Sequence, residues 1–326
     1  KITIYVYIFL SILCLSMTFN YSIWFLPIII FGLRFCGQGM LFHIPAVAIG
    51  RWFGKNKGKA TSISVIGFSI GEATFPIILT FIIATVGWRF SWLFGIIILL
   101  TILPILIKLL NEDRLPKSVD TKINSQVGLF NKHWTRKEVL NYWLFWFVAV
   151  PLLVTPIFST AFFFYQLHLI EIKNWDLLKY FSIFPFYTIA SVLSLLFSGW
   201  LIDKLGVSRI LPFFLLPQSL GLAIFSFGDS YLTVFVGFIF LGITQGTAMT
   251  IGGTFWPNYF GTKHLGAIRS LSTSSMVFGT ALGPFLVGQI LDLNISYNLI
   301  LFFMSILSIV SSISLFITMT KVPNLK

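Results

Sequence analysis

Charge is scarce in this chain, and acidic charge is scarcest. Only 10% of its 326 residues are Asp, Glu, Lys or Arg, and just 10 are acidic. Soluble domains average about 25% charged residues, so a water-facing globule is excluded. Cysteine is nearly missing too: Cys14 and Cys36 both lie within apolar runs. They rule out a disulfide framework and read as small packing residues rather than a metal pair. There is no His-rich metal pattern and no paired-Cys motif, and nothing reads as a nucleophile elbow. Gly54-Lys55-Asn56-Lys57-Gly58-Lys59 mimics a phosphate loop. However, three residues rather than four part its glycines, and no Ser or Thr follows its Lys. No nucleotide-binding domain is visible, so ATP hydrolysis is not expected. The chain is expected to hold no metal and no cofactor, and not to be an enzyme.

What the chain has is apolar length. It is 57% hydrophobic, 17% aromatic, with a mean hydropathy of +0.92. Ten apolar segments are long enough to cross a bilayer as helices: 3–19, 22–50, 60–85, 88–110, 140–170, 178–202, 209–228, 231–257, 268–291 and 296–319. Continuous apolarity favours helices over barrel strands, which alternate. Eighteen of the 22 Lys and Arg residues fall on one side of this stack, and only Arg89, Lys173 and Lys179 on the other. The positive-inside rule makes the rich side cytoplasmic, including loops 51–59, 111–139 and 203–209. The net charge of +12 therefore reports topology rather than a nucleic-acid partner. A multi-pass protein of the cell (inner or plasma) membrane is expected, its partner the lipid bilayer.

Two stretches about 207 residues apart resemble each other. Gln38-Gly39 matches Gln245-Gly246, Phe53-Gly54 matches Phe260-Gly261, and Ala60 matches Ala267. After a one-residue shift, Ser62, Ser64, Gly71 and Pro76 match Ser270, Ser272, Gly279 and Pro284. Both copies run in the same sense, a parallel repeat of the kind found in secondary transporters. Four spans precede the 111–139 segment and six follow it. The pairing leads to the expectation of two further spans, about 70 residues, ahead of Lys1; a complete ten-span protein is the alternative. The 111–139 segment is charged and poor in apolar runs, and reads as a linker with a short surface helix near Thr135–Leu140.

Gly199-Trp200-Leu201-Ile202-Asp203-Lys204-Leu205-Gly206-Val207-Ser208-Arg209 takes the chain out of one helix, through a tight turn and into the next. Gly206 suits the turn and Gly199 a close helix approach. Asp203 is placed to hold Arg209 or a helix terminus in one of two states. This element resembles the loop signature of the major facilitator superfamily, G-x-x-x-D-[RK]-x-G-x-x-[RK]. The stretch from Arg34 through Gln38-Gly39, His43, Arg51-Trp52-Phe53, Gly67, Gly71-Glu72 and Pro76 resembles bacterial and monocarboxylate-type members. The Arg-x-x-Gly-x-Gly spacing at Arg34 departs by one residue from the usual antiporter form.

The resemblance implies an all-α membrane protein with two pseudo-symmetric helix bundles around a cavity that opens alternately to each side. Ten of its twelve helices would be present. Residues 1–110 would be the remnant of the N-terminal bundle and 111–139 the central linker. Residues 140–320 would form the C-terminal bundle and 321–326 a tail. Asp203, Lys204, Arg209 and glycines Gly199 and Gly206 would form a gating loop.

Arg34 lies about 18 Å inside its span, where a charge costs roughly 2.5–3.5 kcal/mol on insertion scales. Glu72 lies at a similar depth in the next span. Three readings compete: a structural ion pair, an anion-binding Arg34 beside a proton-titrating Glu72, or separate roles. Gln38, one turn from Arg34, and its repeat mate Gln245 are candidate neutral contacts to a solute, or simple packing contacts. His43 falls near the opposite face and reads as structural. Pro151 and Pro156 invite a kink in the 140–170 span, and Phe162, Phe163, Phe164 and Tyr165 form an aromatic run beyond it.

The expected activity is secondary transport of a small solute, a monocarboxylate or other organic anion, coupled to a proton or counter-solute. A drug or neutral-solute exporter is the runner-up, and a membrane enzyme or channel the rival class. A monomer is expected.

Overall fold

The computed structural model describes residues 2–41, 44, 57–110 and 127–322, with backbone alone for 57–66, 109 and 110. His43, loop residues 51–56, linker residues 111–126 and the tail 323–326 lie outside the described residues. Within them the chain is helical, apart from one isolated bridge between Gly128 and Lys132. Among the described residues, nine helices are long and apolar enough to cross a membrane, and Leu26–Met40 is a shorter apolar stretch. Each corresponds to one of the ten expected spans. The chain divides into two compact units, Lys1–Lys122 and Ile123–Lys326.

In the first unit, α1 (Ile2–Phe19) packs on α2 (Leu26–Leu33) and on α4 (Trp88–Leu110); α3 (Lys57–Val86) packs on α4. Val6, Leu13, Met17, Ile29 and Cys36 form the buried core, with Trp92 against it. A methyl on Gly32 would stand 2.8 Å from the Leu13 side chain, so this glycine sets how closely α1 and α2 cross. Arg89, in the first turn of α4, lies over the rings of Tyr21 and Trp88, 4.6 and 4.4 Å from their centroids.

The second unit begins with a folded end of the linker. Phe130 and Asn131 take positive φ, reversing the chain so that Gly128 bonds to Lys132. Trp134 donates its backbone N–H to the Phe260 carbonyl at 3.2 Å and its indole N–H to the Leu129 carbonyl at 3.1 Å. Gly128 has no room for a side chain, since a Cβ would stand 2.6 Å from the Phe260 carbonyl carbon. The short helix α5 (Arg136–Leu140) follows, where the sequence predicted it. Thr135 and Glu138 cap it reciprocally.

Then come α6 (Trp143–Phe164), α7 (Gln166–Ile172), α8 (Leu177–Leu205), α9 (Val207–Ile210), α10 (Leu216–Phe227), α11 (Tyr231–Phe260), α12 (Leu265–Asp292) and α13 (Tyr297–Lys321). The starts of α8, α11 and α13 are capped by Asp176, Ser230 and Ser296. Their packing partners are α8 on α11, α11 on α10, α10 on α13, α13 on α6, and α6 on α12. The helix is broken at Leu211–Phe213, and Ser312 of α13 donates to the freed Pro212 carbonyl. Irregular backbone in a membrane protein needs such a partner.

Candidate functional site

Glycine decides how the helices of the second unit meet. Gly242 and Gly246 of α11 face the α8 backbone; a Cβ on Gly246 would lie 2.7 Å from the Leu195 nitrogen and closer still to the Ser191 carbonyl. The close approach brings hydroxyls within range. Ser194 donates to the Ile243 carbonyl at 2.8 Å and pairs with Thr247 at 2.8 Å. Ser198 donates to Thr250 at 2.9 Å, and Thr250 to the Leu195 carbonyl at 3.2 Å. The sequence reading missed this ladder, although Ser191, Ser194 and Ser198 recur at helical spacing opposite a small-xxx-small pair.

Gln245 lies beside Gly246 on α11. It is half-buried and makes no hydrogen bond among the described residues. Gly252, two turns along, has no atom within 4 Å of a would-be Cβ. The Arg269 guanidinium of α12 comes 3.9 Å from such an atom on Gly253. There is thus space beside Gly252, with the Arg269 guanidinium next to the adjacent Gly253.

The α6–α12 seam is built the same way. Gly279 and Gly283 face Ile157, and a Cβ on Gly283 would overlap the Ile157 carbonyl. Pro284 follows, and the Tyr165 hydroxyl donates to its carbonyl at 3.2 Å. Tyr165 stands at the break between α6 and α7. The aromatic run thus ends in a hydrogen-bonded clasp at the break.

Arg34 and Gln38 share one element, a π-helix spanning Arg34–Met40. Single π-helical turns concentrate at functional sites. Its Gly37 and Gly39 are poor α-helix formers, the one local signal for the irregularity. Both Arg34 and Gln38 are exposed. Glu72 lies on α3 and is half-buried. No ion pair joins Arg34 to Glu72 among the described residues, and neither has another hydrogen-bonding partner there. The structural ion pair, one of the three sequence readings, is absent from this conformation. Among the described residues the Arg34 segment packs on α1, whereas α3 packs on α4.

The Gly199–Arg209 element takes the turn the sequence predicted. Gly206 ends α8 with φ +85°, a conformation that disfavours any other residue. Gly199 lies against Thr250 of α11, its would-be Cβ 3.9 Å from that methyl. Lys204 lies over the Trp200 ring at 5.1 Å. Asp203 and Arg209 are both exposed and form no ion pair with each other.

One correction concerns the absence of a nucleophile elbow. Gly67-Phe68-Ser69-Ile70-Gly71 spells that pattern. It lies inside α3, not at the strand-to-helix turn that strains and exposes a nucleophilic serine. The pattern alone carries no chemistry here. No group of His, Cys, Asp and Glu suited to a metal occurs among the described residues.

Comparison with known proteins agrees with this architecture. No curated protein matches the chain. The family model of the Major Facilitator Superfamily matches residues 1–215 and again residues 180–326. Together the matches take in the whole chain, and both include the Gly199–Arg209 loop. Apolar helices of membrane length, glycine-matched seams and these two matches identify the chain as a member of the major facilitator superfamily, a multi-span membrane transporter.

Proposed function

We propose that this transporter carries a small organic anion, of the monocarboxylate class, together with a proton. The observation that carries the reading is Arg34, a guanidinium within an apolar stretch that has no ion-pair partner among the described residues, on a π-helical turn that also holds Gln38. A charge kept at such a cost needs a counter-charge, and a carboxylate is the natural bidentate partner of a guanidinium. Glu72, also without a partner among the described residues, is the coupling group. Gln245 offers a neutral hydrogen-bonding group within the second unit.

On this reading the halves 1–110 and 140–320 move as bundles about the linker 111–139, ahead of a tail at 321–326. The loop with Asp203, Lys204 and Arg209 latches one state on the cytoplasmic side, together with loops 51–59 and 111–139. The protein works as a monomer in the cell membrane.

The test is uptake of labelled lactate and acetate by full-length protein in proteoliposomes under an imposed pH gradient. Arg34→Gln is expected to abolish saturable uptake. Glu72→Gln is expected to retain counterflow but lose acceleration by the gradient. Unchanged kinetics in Arg34→Gln removes Arg34 from binding. Transport that ignores pH and is inhibited by apolar cations favours the drug-exporter reading, for which the exposed aromatic surface is the supporting observation.

A further inference from the structure

We infer that the folded end of the linker, with the first turns of α6, is a binding surface for anionic phospholipid headgroups. Its rings form a continuous strip. Phe130 meets Tyr142 at 6.5 Å, Tyr142 meets Trp143 at 5.9 Å, and Trp143 meets Phe147 at 5.8 Å between centroids. Phe130 is 67% exposed, Trp143 38% and Phe147 54%, with Tyr142 half-buried between them, so the strip presents an open apolar edge, and neighbouring Trp146 is 51% exposed. Trp146, one helical turn on, is oriented by its indole N–H, which donates to the Leu140 carbonyl at 2.8 Å. Rings of this kind settle at the level of the headgroups, apolar body inward and polar edge outward.

The cations stand beside the strip. Lys132 lies 5.3 Å from the Trp134 ring and pairs with Glu138 at 2.6 Å. Arg136 and Lys137, on the first turn of α5, are exposed and have no hydrogen-bond or ion-pair partner among the described residues. Glu138 is the acidic group of this segment, and Lys132 already satisfies it. Two cations without a counter-charge among the described residues, near an exposed aromatic strip, match a phosphate beside acyl chains, not a neutral zwitterionic surface. The Trp134–Phe260 bond anchors the segment to the bundle.

The experiment measures quenching of Trp143 and Trp146 by brominated phosphatidylglycerol and by brominated phosphatidylcholine in reconstituted bilayers. A Trp143→Phe, Trp146→Phe protein serves as the blank. Phosphatidylglycerol is expected to quench at lower mole fraction. Each cation contributes about a fivefold preference, so Arg136→Gln with Lys137→Gln lowers it by roughly 25-fold. Arg136→Lys is expected to keep it. Three results each overturn the inference. One is equal quenching by both lipids. Another is no quenching by either, meaning that protein covers the strip. The last is an equal loss of preference in a Lys204→Gln, Lys321→Gln control.

Discussion

Gly246→Ala is expected to loosen the α8–α11 seam, and Gly252→Ala on the same helix is not. The two substitutions add the same methyl to the same element. At Gly246 that methyl would stand 2.7 Å from the Leu195 nitrogen and nearer still to the Ser191 carbonyl. Both are backbone atoms, so α8 itself must shift. Overpacking of this kind costs about 1–3 kcal/mol, and a rigid backbone neighbour puts it at the upper end. The shift also stretches the Ser194–Thr247 and Ser198–Thr250 bonds, worth about 0.6 kcal/mol each between membrane helices. Alanine recovers about 1 kcal/mol in helix propensity at either site. Gly246→Ala therefore loses about 2–3 kcal/mol, while Gly252→Ala, with nothing within 4 Å, gains up to about 1 kcal/mol. The assay is the unfolding midpoint of both purified variants in an SDS titration followed by circular dichroism. Equal midpoints refute the close-contact account of the seam.

Other perturbations follow from the same geometry. Gly206→Ala places a Cβ at φ +85° and is expected to cost about 1–2 kcal/mol in the same titration, whereas Gly95→Ala should be tolerated. Asp229→Ala leaves the Lys173 ammonium, only 5% exposed, with the Ser226 carbonyl alone; it should destabilise more than Lys173→Met, which restores an apolar stem. The hydrogen bond from Lys132, with those from the Thr135 backbone and hydroxyl, holds the Glu138 carboxyl down at about 2. A depressed acid stabilises the fold above its ordinary value near 4.5 and loses that support as pH falls toward 2. Trp134 fluorescence should therefore report loosening of the linker fold across that window, and Glu138→Gln should remove the pH dependence.

Much of the fold was legible because its signals are local. Each of the ten expected spans has a helix in the structure, since backbone in lipid must bond to itself along an apolar run. The Gly206 turn and the short helix at Arg136–Leu140 were legible for the same reason: a positive-φ site and an N-terminal cap are properties of a few consecutive residues. The candidate site was less so. Residue spacing put Arg34 and Glu72 at similar depth but could not say whether they meet. Spacing on an ideal helix also concealed that Arg34–Met40 widens into a π-helix.

The sequence by itself determined that the chain crosses a membrane repeatedly, because apolar length and the uneven spread of Lys and Arg are properties of the residues alone. Only the tertiary structure decided which glycines carry the seams. Gly246 and Gly252 are the same residue in the same helix, yet one abuts the α8 backbone and the other faces open space. That difference arises from contacts between segments distant in the chain, on which no local pattern reports.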